Sequence, residues 1–174
     1  MLIIARNNVH EKLDNDDYNV AFLNPGQSYE VIGIEYGYFR VVLDNLDAAM
    51  VHPIYCDVQN YKNVNLWAQE INDKNFHFTP RKFNDYSYFF ERFHDGDIEC
   101  VNTYMHYLGT LFGVHSLKNT IYGLYLEAIS NEKLIISYWL KQWMKSLFKV
   151  EKAINLRQFS KADWQQKLVE FFEP

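Results

Sequence analysis

The clearest alternation of apolar and polar residues lies between Tyr29 and Val58. If Tyr36-Gly37 is a two-residue turn, with glycine supplying the positive φ that such turns need, the flanking residues form an antiparallel hairpin. The predicted pairs are Glu35 with Tyr38, Ile34 with Phe39, Gly33 with Arg40 and Ile32 with Val41. Successive side chains of a strand point to opposite faces, so this hairpin has one apolar and one polar face. The apolar face is predicted to hold Ile32, Ile34, Phe39, Val41 and Leu43, and the polar face Glu35, Tyr38 and Arg40.

The meander continues beyond this hairpin. Asp44–Asp47 reads as a second turn, and Ala48–His52 as a third strand that ends at Pro53. Residues 2–5 and 20–23 predict two short strands, the second ended by the Asn24-Pro25-Gly26 turn, and residues 11–17 predict a charged surface loop.

The two segments after the meander are predicted to be a helix and an extended connector. Leu66, Trp67, Glu70 and Ile71 have helical spacing, which predicts a helix over residues 60–73. Residues 75–80 predict an extended connector, because a residue that precedes proline avoids the helical region.

From residue 84 the apolar period is helical. The pattern predicts a helix over 84–93, capped by Asn84 or Asp85, and a second over 96–108 that is capped by Asp95 and stops at Gly109. Residues 120–130 suit either a helix or a hairpin strand. Helix is preferred because residues 132–150 keep helical spacing for five turns, with Trp139 and Trp143 facing inward.

A last helix is predicted after residue 160, where Ser160 and Asp163 resemble a capping box. Together these patterns predict an α+β fold. A small antiparallel β-meander, barrel-like, occupies residues 1–58, a connector occupies 59–83, and a mainly helical part occupies 84–174; the parts can also form one continuous domain.

The meander resembles a known architecture. The letters YEVIGIE, the glycine turn and YFRVVLDN, with VHPIYCDV as the last strand, resemble the small Src-homology-3-like barrels of bacterial proteins. The resemblance covers residues 29–58, and it implies a fold more than a function.

Charge is unevenly divided along the chain. Residues 1–117 contain sixteen Asp and Glu against eight Lys and Arg, whereas residues 118–174 contain six against nine. An acidic surface repels phosphates, which disfavours nucleic acid, and it steers a basic protein partner. The alternative is that the acids keep an aromatic-rich chain soluble.

Location is predicted to be cytoplasmic. The N-terminus lacks the basic region and the long apolar run of a signal peptide, and the longest uncharged stretch, residues 101–117, is interrupted by polar residues and falls short of a membrane span. Cys56 and Cys100 are predicted to be buried free thiols, with a disulfide as the alternative.

Three residues offer a catalytic alternative. Asp95, Glu99 and His106 would lie on one face of a helix, where they could hold a divalent metal ion and make a metal-dependent hydrolase. Helix capping explains the acids completely, and such a spacing often arises by chance, so we expect no metal and no cofactor. A basic stripe with helical spacing is interpreted as a solvated face, although it could contact phosphates or an acidic partner: Lys141, Lys145, Lys149 and Lys152.

The segment DYSYFFERFHDGDIECVNTYMHYL resembles segments of the small immunity proteins that bacteria make against their own toxins. This resemblance implies a non-catalytic protein that binds and neutralises a basic toxin, and the abundance of tyrosine, a residue favoured at interfaces, agrees with it. A structural adaptor that binds a peptide is a further alternative. The predicted partner-binding residues are Glu35, Tyr36, Tyr38, Asp44 and Asp47.

Overall fold

The computed structural model describes residues 1–7, 23–72, 75–130, 137–151 and 158–173. The chain divides into two compact units, Met1–Ser87 and Tyr88–Pro174. The first unit is built on an antiparallel sheet and the second on helices, so the predicted α+β class is confirmed. Three predicted features lie wholly or partly outside the described residues. They are the loop at 11–17, residues 20–22 of the strand at 20–23, and residues 132–136 of the helix at 132–150.

In the described part of the N-terminal unit, seven strands form the sheet, and every pair of neighbours is antiparallel. The strands are β1 (Leu2–Ala5), β2 (Ser28–Glu35), β3 (Tyr38–Val42), β4 (Ala48–Val51), β5 (Cys56–Asn60), β6 (Trp67–Asn72) and β7 (Asn75–Pro80). Their order is β4-β3-β2-β1-β5, with β7 also paired to β2 and β6 paired to β7.

The β2–β3 hairpin has the predicted turn and most of the predicted register. Glu35 faces Tyr38, and the next two residues of each strand also pair as predicted. The register then shifts, so that Val31 instead of Ile32 faces Val41. Ile32 is the extra residue of a β-bulge, which bends β2 between the part that pairs with β1 and the part that pairs with β7.

The bulge changes which residues form the core of this unit. Val31 and Val41 are fully buried in a cluster that Ile34, Phe39 and Leu43 also pack against. Ile32 is fully buried too, but it is not part of this cluster. Further members come from strands, from the single helical turn before β5 and from residues that flank the strands: Met1, Ile3, Ala5, Leu23, Tyr29, Val51, Tyr55, Cys56 and Trp67.

The predicted helix over 60–73 is wrong. Trp67–Asn72 forms β6, which pairs with β7 from Trp67 opposite Pro80 to Asn72 opposite Asn75. Three apolar residues and one glutamate at helical spacing do not outweigh a complete ladder of backbone hydrogen bonds to a neighbouring strand. Residues 75–80 are extended, as predicted, but they are a strand of the sheet, so the predicted connector at 59–83 contributes two strands.

Five helices form the described part of the C-terminal unit: α1 (Phe89–His94), α2 (Ile98–Phe112), α3 (Val114–Ser130), α4 (Tyr138–Phe148) and α5 (Lys161–Phe172). Residues 120–130 are helical, which resolves the alternative in favour of the preferred prediction. Trp139 and Trp143 are buried, as predicted. Ser160 and Asp163 form the predicted capping box at the start of α5.

Three predicted ends of the first two helices differ from the structure. The first helix begins at Phe89, because residues 84–88 form turns. The second is capped by Asp97, whose carboxylate accepts hydrogen bonds from the backbone N–H groups of Glu99 and Cys100; Asp95 instead ends α1. It also continues past Gly109, where a side chain would meet Phe172, and it ends at Gly113, whose φ is 81°.

Candidate partner-binding surface

The predicted partner-binding residues divide between the two ends of β3. Glu35, Tyr36 and Tyr38 lie at the turn that precedes this strand, which we call the hairpin tip (residues 35–38). Asp44 and Asp47 lie in the turn that follows it. A strand rises by roughly 3.4 Å per residue, so the two groups are separated by roughly 17 Å. They are therefore two distinct regions.

The second region, which we call the acidic end, consists of the turns at 24–27 and 43–47. The exposed Asp44 carboxylate accepts hydrogen bonds from Gln27 Nε2 at 2.8 and 3.0 Å. Asn24 Nδ2 donates to Gln27 Oε1 at 2.9 Å. A chain of polar side chains thus connects two turns that are distant in sequence, and it fixes the position of the Asp44 charge.

Asp47 is held by its own turn. Its Oδ1 accepts from the backbone N–H of Ala48 at 2.9 Å, and its backbone N–H donates to Asn45 Oδ1 at 3.0 Å. The backbone N–H of Leu43 donates to the Asp47 carbonyl at 2.8 Å, and Leu46 is buried beneath the turn. These local bonds restrict both acids to one arrangement, which lowers the entropy lost when a partner binds.

The described parts of the chain on either side of residues 8–22 meet at this same end of the sheet. Ala5 and Gly26 are hydrogen-bonded through their backbones, Gly26 N–H donating to the Ala5 carbonyl at 2.8 Å, and Ala5 N–H donates to the Gln27 carbonyl at 3.0 Å. The chain therefore leaves the described sheet after Asn7 and returns at Leu23 beside Gln27, the partner of Asp44. Residues 11–17 contain four acids and one lysine, and their own structure lies outside the described residues.

Charge follows the division into units. Residues 1–87 contain twelve Asp and Glu against seven Lys and Arg, whereas residues 88–174 contain ten of each. Arg6, near the acidic end, is paired with Asp57, with Nη2 at 2.6 Å from Oδ1. The Asp57 carboxylate holds the pKa of Arg6 above its ordinary value. This cation is therefore already paired with an acid that lies outside the two turns.

At the hairpin tip, Glu35 is not the exposed acid that was predicted. Its Oε2 accepts from Arg40 Nε at 2.8 Å and lies 2.6 Å from Nη2, and both side chains are only 12% exposed. His77 Nδ1 lies 3.7 Å from the other carboxylate oxygen. Gly33, opposite Arg40, lets β7 approach closely, since a Cβ there would be 3.0 Å from Thr79 Cγ2. Glu35 forms an internal ion pair.

The two tyrosines of the tip differ in exposure. Tyr36 is the first residue of the turn, with φ of 52°, and it is 57% exposed. Its ring meets the edge of His77 with centroids 4.5 Å apart. Tyr38 is half-buried and packs edge-on against His52 at 5.2 Å. Tyr36 is the aromatic side chain that the tip presents to solvent.

The alternative metal site is not assembled. Asp95 lies at the end of α1 and Glu99 in the first turn of α2, while His106 stacks on Phe171 with centroids 4.4 Å apart. Within the described ranges, no three or more His, Cys, Asp or Glu side chains are grouped as metal ligands would be. The helix start explains the acids nearby, since Asp97 caps α2 and pairs with Arg92.

The basic stripe lies partly along a shallow groove of the C-terminal unit. Lys145 and Lys149 line this groove, of about 470 Å³, together with Gly96, Ile98, Gln142, Ser146, Val150 and Glu151. Lys141 is exposed on α4, and Lys152 lies outside the described residues. Lys145 and Lys149 lie at the C-terminal end of α4, where cations interact favourably with the free carbonyl groups, so the helix itself accounts for them.

Neither cysteine is suited to nucleophilic chemistry. Both are free and buried. Burial raises the pKa of each thiol to about 11, so both are protonated near neutral pH.

The residues that support the acidic end and the hairpin tip could not be identified from the sequence. Gln27, which binds Asp44, and His77, which supports Tyr36, come from distant parts of the chain. No local pattern marks them, because their roles depend on the register of strands that pair across the sheet.

No helix in the described part of the chain is both long and apolar enough to cross a membrane. Comparisons of the chain with protein families, with curated proteins and with solved structures gave no match.

Proposed function

We propose that this chain is a non-catalytic protein-binding protein whose acidic end recognises a basic protein partner. In its most specific form, it is a cytoplasmic immunity protein that neutralises a basic bacterial toxin. Recognition of this kind needs a surface of one charge sign, held in a fixed arrangement, and a partner of the opposite sign.

One observation carries the proposal. The strand layout gathers Asp44, Asp47 and both flanks of the acidic segment 11–17 at one end of the N-terminal unit. Two arginines of this unit are paired with other acids, Arg6 with Asp57 and Arg40 with Glu35. Like charges gathered in this way raise the free energy of the folded protein, so a partner that neutralises them gains binding energy.

The two resemblances agree with the proposal. YEVIGIE and YFRVVLDN form the β2–β3 hairpin, which is the first hairpin that the resemblance implies. VHPIYCDV, expected to be the last strand, is instead divided between the end of β4, a single helical turn and the start of β5. The segment that resembles immunity proteins forms α1 and the first part of α2. Both resemblances support a small binding protein with a β-rich recognition part.

The test is co-expression of the chain with the protein encoded immediately upstream of its gene. We expect that protein to be basic and to arrest growth, and we expect the chain to restore growth and to bind it directly. Asp44→Lys with Asp47→Lys should abolish the rescue, because it reverses the charge of the acidic end.

The matched control is Glu91→Lys with Glu127→Lys, which changes the total charge equally by replacing exposed acids of the C-terminal unit. It should restore growth like the unchanged chain. Asp44→Asn with Asp47→Asn keeps the oxygen acceptors of the two turns, so it separates loss of charge from loss of fold. An upstream protein that neither arrests growth nor binds the chain would contradict the proposal.

A further inference from the structure

The backbone of the hairpin tip disfavours the residue that it carries. Tyr36 and Gly37 both have positive φ, of 52° and 83°, which is the mirror-image turn that joins twisted strands. This turn favours Asn, Asp or Gly at its first position, and a bulky side chain there is strained. The Tyr36 ring remains 57% exposed, and its one ring contact within the described part of the chain is the T-shaped contact with His77. The fold therefore does not explain why tyrosine is present.

The structure beneath Tyr36 is firmly held. Glu35 sits in register with Tyr38 on one side and His77 on the other, and its carboxylate is bound by Arg40 through two nitrogens. These side chains are largely buried, so the turn projects from a fixed base. An aromatic ring presented in this way loses little freedom when it is bound.

We propose that Tyr36 is an aromatic anchor, which inserts into the partner and packs its ring against a cationic side chain there. Glu35, Arg40 and His77 act as positioning residues. The inference rests on the proposed function, which supplies a partner of basic composition. A ring face attracts Lys and Arg electrostatically, and tyrosine is among the residues that dominate binding energy at protein interfaces.

The chain contains a matched control for this residue. Tyr88 has a φ of 56° and is 78% exposed, and it makes no capping bond to α1. Replacing either tyrosine with asparagine relieves the same backbone strain. Of these two tyrosines, only Tyr36 lies at the hairpin tip. A difference between the two variants therefore isolates the role of the tip.

The first experiment needs no partner. We expect Tyr36→Asn, like Tyr88→Asn, to leave the midpoint of urea unfolding unchanged or raise it, because asparagine suits this backbone better. A lower midpoint for Tyr36→Asn alone would show that the fold requires the ring, and it would overturn the proposal.

The second experiment measures dissociation from the upstream-encoded partner. Tyr36→Asn should raise the dissociation rate by at least about tenfold, whereas Tyr88→Asn should leave it unchanged. Tyr36→Phe keeps the ring and should dissociate slowly, and Tyr36→Leu, which is apolar without a ring, should dissociate as fast as Tyr36→Asn. Equal rates for the Phe and Leu variants would overturn the cationic contact. Equal rates for the two asparagine variants would overturn the anchor, while the growth test of Asp44 and Asp47 would stand independently.

Discussion

At the scale of single residues, two glycines with the same backbone conformation differ in what surrounds them. Gly26 and Gly96 have φ of 76° and 77°. A Cβ at Gly26 would meet nothing within 4 Å, whereas at Gly96 it would lie 2.7 Å from Gln142 Cγ and 3.1 Å from Tyr138 Cε1. The first glycine serves only the turn, and the second also lets α4 approach the α1–α2 junction.

These surroundings predict different costs. Gly26→Ala should lower the free energy of unfolding by about 1 kcal/mol, the cost of a left-handed residue that is not glycine. Gly96→Ala should lower it by about 2 to 4 kcal/mol, because the methyl group also displaces Gln142 and Tyr138. Urea denaturation of both variants measures the difference. Equal losses would mean that the contacts at Gly96 adapt without cost.

At the scale of elements, the start of α2 depends on one carboxylate. Asp97 accepts from Arg92 Nε and Nη2 at 2.9 and 2.6 Å, and from the backbone N–H groups of Glu99 and Cys100. The Arg92 hydrogen bonds are the largest cause that holds the pKa of Asp97 below its ordinary value of 3.8; the backbone bonds act in the same direction and partial burial acts against them. The charged form therefore stabilises the helix start.

A pKa that is lower in the folded than in the unfolded state contributes stability above the unfolded value and loses it as the pH falls through the folded value. Asp97→Asn keeps an acceptor for the cap but removes the charge. It should cost about 0.5 to 1 kcal/mol near neutral pH, and the cost should shrink as the pH falls below the ordinary value. Urea midpoints of both proteins across this range test it. A cost that does not change with pH would show that the charge is not responsible.

The elements also show what the sequence could and could not predict. The Tyr36-Gly37 turn and the capping box of Ser160 were predictable, because both depend on neighbours in sequence. The bulge at Ile32 was not, since it arises where β2 changes partner from β1 to β7. The strand at Trp67–Asn72 was missed for the same reason, because its ladder with β7 is decided by pairing and not by local spacing.

The candidate site shows the same limit. Sequence identified Asp44 and Asp47 as turn acids, but it grouped them with Glu35, which the sheet places at the other end of β3 in an ion pair with Arg40. Which acids lie together at one end of the sheet depends on contacts between distant residues, such as Gln27 with Asp44. The excess of acids in this part of the chain was predictable from the sequence, whereas their positions in the fold were not.

At the scale of the whole molecule, each unit contains one buried thiol. Cys56 belongs to the N-terminal unit and Cys100 to the C-terminal unit, and burial raises the pKa of each from 9.0 to about 11. At about pH 8, this shift lowers the thiolate fraction by about a hundredfold. We expect iodoacetamide to label each cysteine of the folded protein at least about a hundredfold more slowly than that of the unfolded chain.

Mass spectrometry of the digested protein assigns the label to each cysteine separately. Both should become reactive in denaturant, so each thiol reports the opening of its own unit. Rapid labelling of either cysteine under native conditions would contradict the burial on which this expectation rests.

The central claim, that the acidic end recognises a basic partner, is tested most directly by the association rate of the chain with its upstream-encoded protein as salt is varied. Steering acts over about a Debye length, roughly 10 Å at 0.1 M, so the association rate should fall by at least about tenfold between about 0.02 M and about 0.5 M salt, with little change in dissociation. Asp44→Lys with Asp47→Lys should lower the rate at low salt and flatten its salt dependence, and Glu91→Lys with Glu127→Lys should have a much smaller effect. An association rate that responds neither to salt nor to the reversal at Asp44 and Asp47, or that responds equally to both pairs of substitutions, would contradict the claim.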